Sequence, residues 1–207
     1  MRTPILKEKK ILFIVLILLF GTAYRDWTMR EIQYAPGVLV PEVPKQKNVR
    51  GLSLLAVDDY EITPRAEFEI RARVLSRENY RLGSEADLSP LDLALGWGVM
   101  SDQAVLDRIE ISQGSRWYYT RYDLPAPVSD QAIIHNSGNM HMIPAQNRIS
   151  KKLKGIRVGD IVRLQGMLVD VDHPSGWRWR TSLSRGDTGG GSCEIVYLEE
   201  IEIETRD

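Results

Sequence analysis

The chain has 207 residues, 43% of them hydrophobic and 27% charged, with 16 Gly and 10 Pro, which is the composition of one ordinary domain with some chain to spare. It excludes a disordered tail, a collagen-like repeat, a disulfide-rich miniprotein and a multi-span transporter. The formal charge of -1 lacks the basic excess of a phosphate reader, so no nucleic-acid partner is expected. The single cysteine, Cys193, allows neither an internal disulfide nor a thiolate-rich zinc site.

In chain order, a basic stretch with Arg2, Lys7, Lys9 and Lys10 precedes an apolar run over 11–20 that continues uncharged through Gly21, Thr22, Ala23 and Tyr24. The run is short for a bilayer, but Tyr24 and Trp27 suit an interface and Lys9 and Lys10 can snorkel, so residues 1–28 are expected to form a basic stub and a transmembrane anchor. A cleaved secretory signal is the alternative, because Gly21 and Ala23 supply small residues at the spacing a signal peptidase reads. The charge asymmetry keeps the amino terminus in the cytoplasm. The expected address is therefore the inner membrane, single-pass, with residues 11–24 in lipid and the remainder on the extracytoplasmic, periplasm-like side. Residues 29–50 carry Pro36, Gly37, Pro41 and Pro44 and read as an extended, semi-rigid spacer, leaving 51–207 as one β-rich domain.

Within that domain, residues 66–74 alternate Phe68, Ile70, Ala72 and Val74 against Glu67, Glu69, Arg71 and Arg73, which predicts a strand with one face on the core. Glycines and Pro90 make 79–98 a loop bearing Leu91, Leu93, Leu95 and Trp97. Ser101 is the expected cap of a helix reaching Ile109, Gln113, Gly114 and Ser115 turn into an aromatic strand over 116–122, and further helices are expected from Ser129 and over 145–153, the last stopped by Gly155. Residues 161–171 are apolar on both parities about Gly166, the pattern of a strand that curls around a corner. With Trp177, Trp179, Thr181 and Leu183 on one parity and a last strand carrying Cys193, Ile195 and Tyr197, these segments predict a meander. The fold class is therefore α+β, mainly β, with a curled sheet or small OB-like barrel in the carboxy-terminal half, the OB likeness being one of pattern.

Three clusters carry chemistry-bearing residues. The first pairs Cys193 with His135 or His141. A membrane-anchored β-domain with a histidine upstream of a cysteine resembles the sortase-type transpeptidases, which implies a thiolate nucleophile attacking a peptide carbonyl beside an imidazole. Ser192 precedes the cysteine where sortases have threonine, and Arg206 is the sole later arginine. The bland reading places Cys193 in the core beside Ile195 and Tyr197. The second cluster gathers His135, Met140, His141 and Met142, soft ligands suited to Cu(I), although strand alternation sends Met140 and His141 to opposite faces. The third is Trp177, Arg178, Trp179 and Arg180 with Arg185, an arginine face that fits an anionic glycan, lipid headgroup or acidic protein loop, with the tryptophans in the core.

No cofactor is expected. The reading that follows is a membrane-anchored binding or assembly module with a protein partner in the envelope, binding through Arg178, Arg180 and Arg185. The alternative is a thiol-dependent, sortase-like transpeptidase or hydrolase.

Overall fold

The computed structural model describes residues 11, 13–15, 21–22, 28–187, 189 and 191–204. Most of the expected anchor over 11–24 lies outside the described residues, as does Arg206, and no helix among the described residues is long and apolar enough to cross a membrane. The chain divides into a unit over 1–31 and a unit over 32–207.

The larger unit is mixed α+β and mainly strand, built on a curled eight-stranded sheet and a small second sheet. Its elements run β1 (Lys45–Asn48), β2 (Leu55–Val57), β3 (Tyr60–Asn79), α1 (Ser84–Leu88), β4 (Leu91–Gly96), a 3-10 turn (Gly98–Ser101), α2 (Gln103–Leu106), β5 (Glu110–Gly114) and β6 (Trp117–Arg121). They continue with α3 (Asp130–Asn136), β7 (Ser137–Pro144), α4 (Asn147–Lys154), β8 (Ile161–Asp172), β9 (Arg178–Trp179) and β10 (Glu194–Ile203).

The spine is β3. Its alternating Ala66, Phe68, Ile70, Ala72 and Val74 are buried as the sequence pattern demands. Arg73 departs from that pattern: it is 1% exposed, with its guanidinium donating to the Ser101 carbonyl at 3.2 Å and lying 5.0 Å from the centre of the Tyr34 ring. The first part of β3 pairs antiparallel with β8, its last part with β4, and a register shift between Val74 and Ser76 marks the change of partner. Pro64, which has no N–H to give a ladder, stands at a second irregularity. From β4 the pairing passes to β7, then in parallel to β10, then antiparallel to β8, which also holds β3.

The curl is therefore not confined to the carboxy-terminal half, because β3 and β4 are full members of it. Residues 161–203 are not a simple meander either, since β10 pairs with β8 and β7 and none of its ladder is with β9. The segment expected as a loop over 79–98 contains β4, every residue of which is buried. A strand covered on both faces shows an unbroken apolar run in place of alternation, and Asp92 and the glycine at its end disguised it.

The proline-bearing segment is not a free spacer. Val40 is fully buried, β1 pairs with β3, and the Ser101 hydroxyl accepts from the Leu39 and Val40 amides at 3.1 and 3.0 Å. Ser101 is thus spent on this strap, and Asp102 caps α2 in its place by accepting from the Ala104 amide at 2.9 Å. Ser129 caps α3 and Gly155 follows α4, both as the sequence leads one to expect.

The strand pair β5–β6 turns through Ser115 and Arg116, whose φ values of 51° and 68° are left-handed although neither is glycine. The Tyr80 hydroxyl accepts from the Arg116 amide at 2.9 Å and holds the turn over α1 and β4.

Gly166 sits where β8 is flanked by β3 and β10, opposite the register shift between Leu198 and Glu200. A Cβ there would lie 2.1 Å from the Tyr197 carbonyl oxygen, so the crossing has no room for a side chain. Gly166→Ala is expected to destabilise the domain by about 2 kcal/mol, seen as a lower urea midpoint. A midpoint equal to wild type would show that β8 and β10 do not cross this closely.

Candidate functional site

Strand pairing brings three distant residues together. Asp92 in β4 is the cross-strand partner of His141 in β7, and His141 is in turn the partner of Ile195 in β10. Residues directly opposite share a face. Cys193 immediately precedes β10 and borders the same cavity as His141. Met140 and Met142 alternate away from His141 into the sheet interior, where both are fully buried.

The distances follow. His141 Nδ1 lies 2.9 Å from Asp92 Oδ1, an ion-pair approach that is off-axis for a full hydrogen bond. Cys193 lies near enough to the imidazole to favour its protonated form, while the thiol itself donates to the Arg116 carbonyl at 3.9 Å. Burial of the ring works against protonation, but the close approach and charge of Asp92, with Cys193 beside it, outweigh that, so the His141 pKa is raised above its ordinary value. Trp179 packs tilted against the imidazole, with ring centres 4.5 Å apart and planes at 39°.

Asp92 is fully buried, and its charge is met by Arg116, whose Nη1 donates to Oδ1 at 2.7 Å. The guanidinium also donates to the Ser89 carbonyl at 2.9 Å and lies 3.7 Å from the centre of the Tyr80 ring and 5.4 Å from that of Trp179. The unusual turn that carries Arg116 is thus pinned at its amide, its side chain and its carbonyl, the last accepting from Asn139 Nδ2 at 3.0 Å. Gln113 donates to Asn139 Oδ1 at 2.6 Å, which fixes the amide so that its NH2 also points at Cys193 Sγ, 3.7 Å away.

Cys193 is half-buried, not in the core beside Ile195 as its parity suggests. The shift in β10 between Leu198 and Glu200 reverses which parity faces inward, so Val196, Leu198 and Ile201 fill the interior while Ile195 packs on the outer cluster with Trp177 and Trp179. The tryptophans accordingly cover the outside of the sheet and do not occupy its interior.

The thiol borders two cavities. One, of about 420 Å³, is lined by His141, Arg116, Arg178, Trp179 and Arg180. The other, of about 240 Å³, is lined by Trp117, Tyr118, Ile133, Arg185 and Glu194 among others. In the second, burial pushes the Tyr118 phenol up to about 12, so it stays neutral, and its hydroxyl lies 3.2 Å from Ser137 Oγ.

The arginines singled out in the sequence do not form one face. Arg178 and Arg180 border the first cavity and pair with Asp172 at 3.4 and 2.6 Å, whereas Arg185 borders the second and is ion-paired with the buried Glu194. The soft-metal set does not converge either. Met140 is interior, His141 is beside Asp92, and His135 is on α3 with Nδ1 2.8 Å from the Gln131 carbonyl oxygen. Among the described residues no three His, Cys, Asp or Glu side chains are grouped to hold a metal ion.

Asp92 and Arg116 are the members that sequence reasoning missed. Asp92 lay in a stretch read as loop, and Arg116 looked like one charge in an aromatic strand. An isolated acid inside the apolar run 91–95 was the available signal, since a buried carboxylate demands a partner.

A raised histidine pKa gives stability that is fully present below its unfolded value of about 6.5 and is lost as pH rises through the folded value. The urea midpoint of wild type is therefore expected to fall between about pH 6 and about pH 9 by more than that of His141→Gln. Equal falls in the two proteins would contradict the pairing of His141 with Asp92 and Cys193. No known family matches the chain, and no curated protein and no solved structure is significantly similar to it.

Proposed function

We propose that the protein is a thiol-dependent acyl-transfer enzyme, a hydrolase or transpeptidase, with Cys193 as nucleophile, His141 as base and acid, and Asp92 as the carboxylate that orients the imidazole. The observation that carries this reading is the grouping of Asp92 in β4, His141 in β7 and Cys193 at the start of β10, with His141 and Cys193 bordering one open cavity. Nucleophile, base and orienting acid in mutual reach are what this chemistry requires.

In the reaction, His141 takes the thiol proton and the sulfur attacks the carbonyl carbon of an ester, thioester or amide. The new C–S bond pushes the carbonyl π pair onto oxygen. Collapse of that oxyanion breaks the bond to the leaving group, which accepts the proton from His141. The acyl thioester on Cys193 is then cleaved by water or an amine, whose proton passes through His141 back to the sulfur. Asn139 steers the sulfur, and Arg116 holds Asp92 in place by donating to its carboxylate.

Two finer features belong to the same proposal. The curled sheet is taken as a small OB-like barrel, supported by the strand order β3–β4–β7–β10–β8 with β8 returning to β3 and by α4 between β7 and β8. Residues 11–24 are taken as an anchor that places the domain outside the cytoplasmic membrane, supported by the basic stretch before an uncharged apolar run.

The second reading is the binding or assembly module with an envelope partner. It is favoured by the near-complete burial of Asp92 and His141 beneath Arg116 and Trp179, which suits a purely structural ion pair.

Alkylation of the folded protein by iodoacetamide separates the two. Under the enzyme reading, Cys193 at about pH 6 is alkylated roughly tenfold faster in wild type than in His141→Asn, with Asp92→Asn in between. Equal rates in all three proteins would overturn that reading and leave the module.

A further inference from the structure

Beside Cys193, the smaller cavity contains an acceptor that the reaction does not use. Glu194 is 3% exposed and is anchored through Oε1 by Arg185, which in turn donates to the side chain of Gln46 and lies 5.2 Å from the centre of the Phe68 ring. Its other oxygen, Oε2, has no hydrogen-bond partner among the described residues. An unsatisfied buried carboxylate oxygen costs free energy unless something supplies a donor. The space in front of it is kept open by Gly138, where a Cβ would stand 3.3 Å from Oε2.

The walls suit an organic group. Trp117, Tyr118 and Ile133 supply an apolar side, and Asp187 adds a second carboxylate against the single guanidinium of Arg185. A short chain ending in a positive charge satisfies all three features: its methylenes lie on the apolar wall, the charge meets the acidic excess, and its N–H reaches Oε2. An anion or a purely alkyl chain leaves Oε2 unsatisfied.

We propose that this cavity selects acyl groups that bear a primary ammonium a few atoms from the carbonyl, with Glu194 Oε2 as acceptor and Cys193, on the cavity wall, receiving the acyl carbon. The inference rests on the acyl-transfer reading and adds its substrate class.

The test compares β-alanyl and butyryl thiophenyl esters, which have the same chain length and differ in NH3+ against CH3, following acylation of Cys193 by intact mass. Wild type is expected to react about tenfold faster with the β-alanyl ester. In Glu194→Gln the amide oxygen turns to Arg185 and its NH2 faces the cavity, so the ratio should fall to about one. Should that variant fail to fold, Gly138→Ala, which narrows the space before Oε2, is expected to lower the ratio too.

Equal rates of the two esters in wild type, or a preference that survives Glu194→Gln, would overturn the cavity assignment. If both esters acylate Cys193 and His141→Asn slows both, the acyl-transfer reading stands without it. If neither ester acylates Cys193 and iodoacetamide labelling is also indifferent to His141, both fall together.

Discussion

The placement of β7, between β4 on one side and β10 on the other, is the constraint on which the rest depends. It fixes Asp92 opposite His141 and sets Cys193, at the start of β10, on the cavity that His141 borders. Because side chains alternate along a strand, a slip of one residue would turn His141 inward and push Met140 and Met142 onto the outer face. The apolar interior therefore enforces the register, since both methionines are fully buried against the main core. Packing on one face of the sheet thus specifies polar geometry on the other.

The polar cluster has its own requirement. A carboxylate as buried as Asp92 is costly unless it is paired and hydrogen-bonded, and breaking such a pair typically costs about 3–5 kcal/mol. Arg116 meets that need from a turn in which two non-glycine residues have positive φ, a conformation tolerated because Tyr80, Ser89 and Asn139 hold the turn from three directions. The hairpin β5–β6 is accordingly more than a decoration of the sheet. Through Arg116 it neutralises the acid beside the histidine, and through Trp117 and Tyr118 it walls the cavity next to the thiol.

Much of the architecture could be read in the residues. Alternation located β3, Gly166 marked the crowded crossing in β8, and Ser129 and Gly155 bounded two helices. Other features were hidden for identifiable reasons. β4 is buried on both faces and shows no alternation, and the prolines of 36–44 suggested a spacer although the segment is bound through Val40 and Ser101. Cys193 and His141 were visible as candidates. Their partner Asp92 was passed over, because Pro90 and the flanking glycines made its apolar run read as a loop, in which an acid needs no partner.

Local sequence determined what depends on near neighbours: caps, turns, strand periodicity and the reactive side chains available. Tertiary structure alone decided which of those side chains meet. The irregularity in β10 between Leu198 and Glu200 chose the parity that faces inward, and pairing between strands far apart in the chain brought Asp92, His141 and Cys193 together. Register is set by the whole interior packing at once, a property of contacts distant in sequence that no single segment encodes.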